Sequence, residues 1–155
     1  MGARAPELTT DPLKGFASRV VAWMGAPNQV IPSAVWTTVR YDSRRIDSLE
    51  EWDTGAYRFT PLRAGYYYVY AQIKWDDWAG GNWSHTLAAR DSAFTGLLET
   101  VDASLVNEEE MQKMGGLVYL DPSNWIEFRV RQATGVNQTI LAGYPNNYVA
   151  IHRLS

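Results

Sequence analysis

Residues 65–75 read GYYYVYAQIKW, the strongest strand signal in the chain. Successive side chains of a β-strand point to opposite faces, so this stretch presents two sets of side chains. The uniformly apolar set, which we assign to the core, is Tyr67, Val69, Ala71, Ile73 and Trp75. The opposite set is Tyr66, Tyr68, Tyr70, Gln72 and Lys74. The stretch therefore predicts a long strand with one buried face.

Shorter strand signals lie on both sides of this stretch. Residues 35–41, 56–60, 84–90, 125–132 and 148–154 carry β-branched and aromatic side chains between turn residues. Turn signals recur about every 8–12 residues, which is typical of a β-sandwich or barrel. The sequence predicts an all-β domain of about eight to ten antiparallel strands over residues 16–155. Within it, Gly115-Gly116 predicts a bulge or bend.

Residues 1–15 differ from the rest of the chain. They carry two prolines and several polar residues and show no apolar period, so they predict an extended N-terminal arm without a core of its own. The arm residues that we expect to contact a partner are Arg4, Pro6, Leu8, Pro12 and Leu13.

The composition excludes several classes of function. The chain has no cysteine, so disulfide frameworks, zinc–thiolate sites and thiol catalysis are excluded. The net charge is -3 and no basic stripe occurs, so we expect no nucleic-acid partner. We expect no membrane partner and synthesis in the host cytoplasm, because neither a membrane-length apolar stretch nor a signal peptide is present.

Four segments resemble the jelly-roll superfamily of the complement globular heads and tumour necrosis factor. They are WTTVRYD at 36–42, WDTGAYRFTP at 52–61, RAGYYYV at 63–69, and GLVYL at 116–120 followed by WIEF at 125–128. The chain departs from the family pattern at 121–124, where Asp-Pro-Ser-Asn replaces the usual Gly-Asp turn. The resemblance covers about residues 16–155 and implies a jelly-roll β-sandwich.

The resemblance also implies a homotrimer, because relatives pack three jelly rolls around a three-fold axis through flat aromatic faces. The candidate contact face here is Tyr66, Tyr68 and Tyr70. The alternative is that these tyrosines cover one sheet within a monomer.

No catalytic constellation is evident, so we expect a protein that binds and is not an enzyme. The two histidines, His85 and His152, lie on separate predicted strands, and no nucleophile elbow, phosphate loop or metalloprotease motif occurs. We expect no cofactor and no bound metal. Asp76-Asp77 with Asn82 is an alternative calcium site, which we interpret as a solvated loop tip.

These observations lead to two functional hypotheses. The first is a virion structural protein, a bacteriophage capsid decoration protein at three-fold positions of the shell, where three arms contact the major capsid protein and avidity strengthens a weak contact. The second is a receptor- or glycan-binding head of a tail fibre or surface protein. Its site would comprise Asp76, Asp77, Trp78, Asn82 and Trp83, with Trp75 beside them as a further stacking ring. An enzyme of the double-stranded β-helix type would need more histidines than two.

Overall fold

The computed structural model describes residues 17–76, 83–104 and 110–154. These residues contain thirteen β-strands and no helix. The strands are β1 Arg19–Trp23, β2 Gln29–Ile31, β3 Thr37–Thr38, β4 Ser43–Asp47, β5 Trp52–Asp53, β6 Arg58–Phe59, β7 Gly65–Lys74, β8 Trp83–Asp91, β9 Gly96–Ser104, β10 Met111–Leu120, β11 Ile126–Gln132, β12 Gln138–Ile140 and β13 Tyr148–Arg153. Eight of them have five residues or more, and the other five have two or three. The longer strands account for the predicted number, and two of the short ones, β3 and β6, are shortened forms of the strands predicted at 35–41 and 56–60.

Two antiparallel sheets form the sandwich. One is five-stranded in the order β10-β7-β13-β1-β4, and the other is six-stranded in the order β5-β6-β11-β8-β9, with β3 also paired to β11. A separate two-stranded sheet joins β12 to β2. The predicted all-β jelly-roll sandwich is confirmed.

Strand β7 shows the predicted alternation. Tyr67, Val69, Ala71 and Ile73 are fully buried between the sheets, and Trp75 just beyond the strand is buried as well. Tyr66 and Tyr68 point away from the core and are exposed. The strand pairs with β10 over ten residues and with β13 over six, so it lies inside the five-stranded sheet.

Aromatic rings fill one end of the space between the sheets. The ring of Phe128 lies 5.9 Å from that of Tyr41 and 6.4 Å from that of Trp52. The Trp52 Nε1 donates a hydrogen bond to the Tyr41 carbonyl over 3.0 Å, and the Tyr41 hydroxyl donates to the Gln72 carbonyl over 3.1 Å. The polar atoms of these buried rings are therefore satisfied, as burial requires. Burial raises the pKa of Tyr41 far above its usual value.

Two local predictions were wrong. The strand predicted at 35–41 is reduced to Thr37–Thr38, because the Gln29 side chain donates to the Thr38 carbonyl and accepts from the Arg40 amide. The bulge predicted at Gly115-Gly116 is absent, and β10 keeps its register with β7 through both glycines. Gly116 instead provides space between the sheets, because a Cβ there would lie 2.7 Å from the Leu98 side chain.

Candidate functional site

An exposed apolar ridge lies on the outward face of the five-stranded sheet. It consists of Tyr66 and Tyr68 on β7 and Leu117 and Tyr119 on β10, and is called the tyrosine ridge below. Leu117 pairs with Tyr68 and Tyr119 pairs with Tyr66, so the four side chains are cross-strand neighbours. The rings of Tyr66 and Tyr119 are 5.4 Å apart in an edge-to-face arrangement. Contiguous exposed apolar side chains of this kind mark interaction surfaces.

The sequence creates the ridge by alternation in two paired strands. Inward residues of β7 and β10 enter the core, so the intervening tyrosines and leucine must point outward. Gly115 permits a close approach across the pair, because a Cβ at this position would lie 3.0 Å from the Tyr68 hydroxyl. Glycine at this position therefore lets the Tyr68 side chain lie flat along the sheet.

A groove of about 310 Å³ adjoins the ridge on the same face. It is lined by Arg19, Val20, Val21, Ile46, Tyr68, Ala150, Ile151 and His152. These residues come mainly from β1, β4 and β13, which occupy the opposite half of the sheet from the ridge. Tyr68 belongs to both features and joins them into one apolar surface.

Tyr70, the third predicted contact residue, occupies a different environment. It is half-buried, its hydroxyl donates to the Gln72 side-chain oxygen over 2.9 Å, and its ring lies 5.5 Å from that of Tyr148. Burial and the hydrogen bond with Tyr148 raise the pKa of Tyr70 to about 12. Of the three predicted tyrosines, the structure places Tyr66 and Tyr68 together on the ridge and Tyr70 at its margin.

Sequence reasoning missed three apolar residues of this surface: Ile46, Leu117 and Tyr119. The alternation in residues 116–120 places Leu117 and Tyr119 on one face of their strand. The pairing of that strand with β7 places Leu117 and Tyr119 beside Tyr68 and Tyr66, which lie more than 40 residues earlier in the chain. No local pattern indicates that pairing.

The opposite sheet presents an outward face of a different character. Arg58 stacks on Trp125 with its guanidinium carbon 5.0 Å from the ring centre, and Arg90 stacks on Trp36 at 4.2 Å. Arg90 also lies 3.7 Å from a Glu99 carboxylate oxygen. These rings and cations pair with one another, so this face offers fewer unpartnered apolar groups than the tyrosine ridge.

The two histidines do not meet. His85 is fully buried on β8, where its ring lies 5.4 Å from that of Trp75 and its Nε2 lies 3.5 Å from a Glu110 oxygen. His152 lies on the outward face of β13, in the other sheet. In the described ranges, no group of three or more His, Asp or Glu side chains could hold a metal ion.

The alternative sugar site is only partly visible. Asp77, Trp78 and Asn82 lie outside the described residues, as do the arm residues. Asp76 donates its amide to the Thr139 carbonyl over 2.9 Å, and Trp83 begins β8 opposite Ser104. Trp75 cannot serve as a stacking platform, because it is fully buried and its Nε1 donates to the Gln112 side chain over 3.3 Å. Within the part of the chain that the structure describes, no helix is long and apolar enough to span a membrane.

Comparisons with known proteins identify the fold alone. No family model matches the sequence, and no curated protein matches it. The solved structure of Eiger TNF from S. frugiperda superposes with a TM-score of 0.68 at 12% identity, covering 90% of this chain and 93% of that one. The structure of murine APRIL at pH 5.0 superposes with a TM-score of 0.68 at 9% identity, covering 89% of this chain and 99% of that one. The structure of murine APRIL at pH 8.5 superposes with a TM-score of 0.63 at 11% identity, covering 88% of this chain and 100% of that one. The chain therefore has a TNF-like jelly-roll fold.

Proposed function

We propose that this chain is a non-enzymatic binding protein that assembles into a homotrimer through the outward face of its five-stranded sheet. The observation that carries the proposal is the tyrosine ridge, whose four large side chains are exposed in register beside an apolar groove. Tyrosine is enriched at protein interfaces and charged residues are depleted from their centres. The ridge matches both tendencies.

The shape of the face favours a ring. The ridge lies on β7 and β10 at one side of the sheet, and the groove lies on β1, β4 and β13 at the other. A contact in which the ridge of one copy packs on the groove of the next joins two different patches. Such contacts close into rings when the rotation between copies permits it. The resemblance to trimeric relatives favours three copies in the ring.

Radical footprinting tests the interface. Tyr119 on the ridge and Phe94 on the six-stranded side of the molecule are 58% and 52% exposed in a single chain. We expect oxidation of the peptide containing Tyr119 to fall as the protein concentration is raised, while the peptide containing Phe94 reacts equally at all concentrations. Equal oxidation of Tyr119 at a concentration where the particle is one chain and at a concentration where it is three would count against the interface.

The more specific proposal is a structural role on a virion. The trimer would decorate a bacteriophage capsid at three-fold positions, on the outer surface of the shell and in contact with the major capsid protein. Its support is a likeness in architecture, more than in sequence motif, to stand-alone jelly-roll decoration proteins, together with the extended arm predicted at residues 1–15. Three arms on one head would multiply a weak contact by avidity.

Deleting residues 1–15 tests the virion role separately from assembly. The truncated protein should assemble into the same number of chains as the full-length protein, because β1 begins at Arg19 and the ridge lies on β7 and β10. We expect it to lose co-sedimentation with undecorated capsids that the full-length chain binds. Undiminished co-sedimentation would reject the arm as the binding element, and no co-sedimentation of the full-length chain would reject the capsid as the partner.

A further inference from the structure

His152 occupies the groove that the proposed trimer covers. It lies on the outward face of β13, in register with Arg19 on β1 and with Tyr68 on β7, and it lines the groove with both of them. Its Nδ1 has no solvent-accessible surface and no hydrogen-bond partner in the described structure. A titratable ring therefore lies on the proposed contact surface, beside Arg19 and the apolar residues of the groove.

The surroundings of His152 are apolar or positively charged. Arg19 lies opposite it on β1, Tyr68 lies opposite it on β7, and Ile46 lines the groove from β4. No carboxylate is among the described groove residues. The nearest acidic residue of β4, Asp47, accepts hydrogen bonds from the amides of Glu51 and Trp52, so its carboxylate is held away from the groove.

We infer that assembly through this face is linked to protons, with His152 as the residue that senses pH; the inference rests on the proposed trimer. An imidazole changes charge between about pH 5 and pH 8. A protonated ring would stand beside Arg19 without a carboxylate to balance it. Covering that charge with a neighbouring copy removes it from water, which is costly for an unpaired ion.

The direction of the effect follows from this cost. The assembled state favours neutral His152, so the assembly binds fewer protons at this residue than three separate chains do. Linkage then requires association to weaken as the pH falls. Because each trimer contains three copies of His152, the loss of association free energy at low pH counts three times. We expect the concentration at which half of the chains are assembled to rise at least tenfold between pH 7.5 and pH 5.5.

The histidine content of the chain makes the test simple. The chain has two histidines, and the other one, His85, is buried in the core. Sedimentation velocity at a series of concentrations would be recorded at pH 7.5, 6.5 and 5.5 for the wild type, His152→Gln and, as the matched control, His85→Gln. For each variant, the measured quantity is the concentration at which half of the chains are assembled. Its value at pH 5.5 is divided by its value at pH 7.5. Circular dichroism at each pH confirms that the chain is folded.

The expected result is a large ratio for the wild type and a ratio near one for His152→Gln. A wild-type response that survives in His152→Gln would overturn the inference, as would a wild-type assembly whose mass does not depend on pH; the trimer itself would stand in both cases. A particle of one chain at every pH would reject the interface together with the inference. If His85→Gln does not fold, Val101→Asp replaces it, because Val101 lies on β9 in the other sheet and the variant should keep the wild-type ratio.

Discussion

Leu117→Asp places a charge at the middle of the tyrosine ridge. The leucine side chain is 59% exposed in a single chain, and full burial of a leucine contributes about 1.5–3 kcal/mol. Covering its exposed part by a neighbour therefore contributes about 1–2 kcal/mol per copy. A trimer contains three such contacts, so removing them costs about 3–5 kcal/mol. At about 1.4 kcal/mol per factor of ten, the trimer formation constant should fall at least about a hundredfold.

Val101→Asp is the matched control. Val101 is 58% exposed and lies on β9, the edge strand of the six-stranded sheet, as Leu117 lies on β10, the edge strand of the five-stranded sheet. Both variants introduce the same poor strand former at an outward edge position, so the loss of strand propensity within each chain is matched. Sedimentation velocity at low micromolar concentration should show separated chains for Leu117→Asp and an intact assembly for Val101→Asp. Equal masses for the two variants would refute the reasoning.

Three further predictions concern the stability of the fold. Phe128→Ala removes a fully buried ring, and should lower the free energy of unfolding in urea by about 3–5 kcal/mol; a loss below about 1 kcal/mol would contradict the packing described. Burial raises the pKa of Tyr67 to about 12, so its contribution to stability is present below about pH 10 and is lost as the pH rises towards 12. Circular dichroism during an alkaline titration should show a weaker loss of structure in Tyr67→Phe, and identical curves would count against this. Hydrogen bonds from the amides of Ala56 and Gly55 hold the pKa of Asp53 below its usual value, which stabilises the fold above about pH 4. Asp53→Ala should melt at a lower temperature than the wild type at pH 7, with a difference that narrows by pH 2.

Local alternation was sufficient to predict the central strand and its buried face. Residues 66–75 carry a complete two-residue period, and a side chain on a strand has only two faces to choose between. The same reasoning identified Tyr66 and Tyr68 as outward residues. It could not distinguish Tyr70 from these two exposed tyrosines. Tyr70 is half-buried because it packs on Tyr148, which lies on a strand far away in the sequence.

Long-range pairing explains what the sequence did not predict. The alternation correctly assigned Trp75 to the core, but no local pattern indicated that it would bridge to Ile140, 65 residues further along the chain. Leu117 and Tyr119 join the ridge only because β10 pairs with β7. The groove needs three strands from both ends of the chain, so no segment carries its signal alone.

The most direct test of the account is the mass of the particle in dilute solution at neutral pH. Native mass spectrometry of the purified 17.5 kDa chain at low micromolar concentration would provide it. The account predicts a particle of three chains. A particle of one chain, with Tyr66 and Tyr68 still open to solvent, would contradict it.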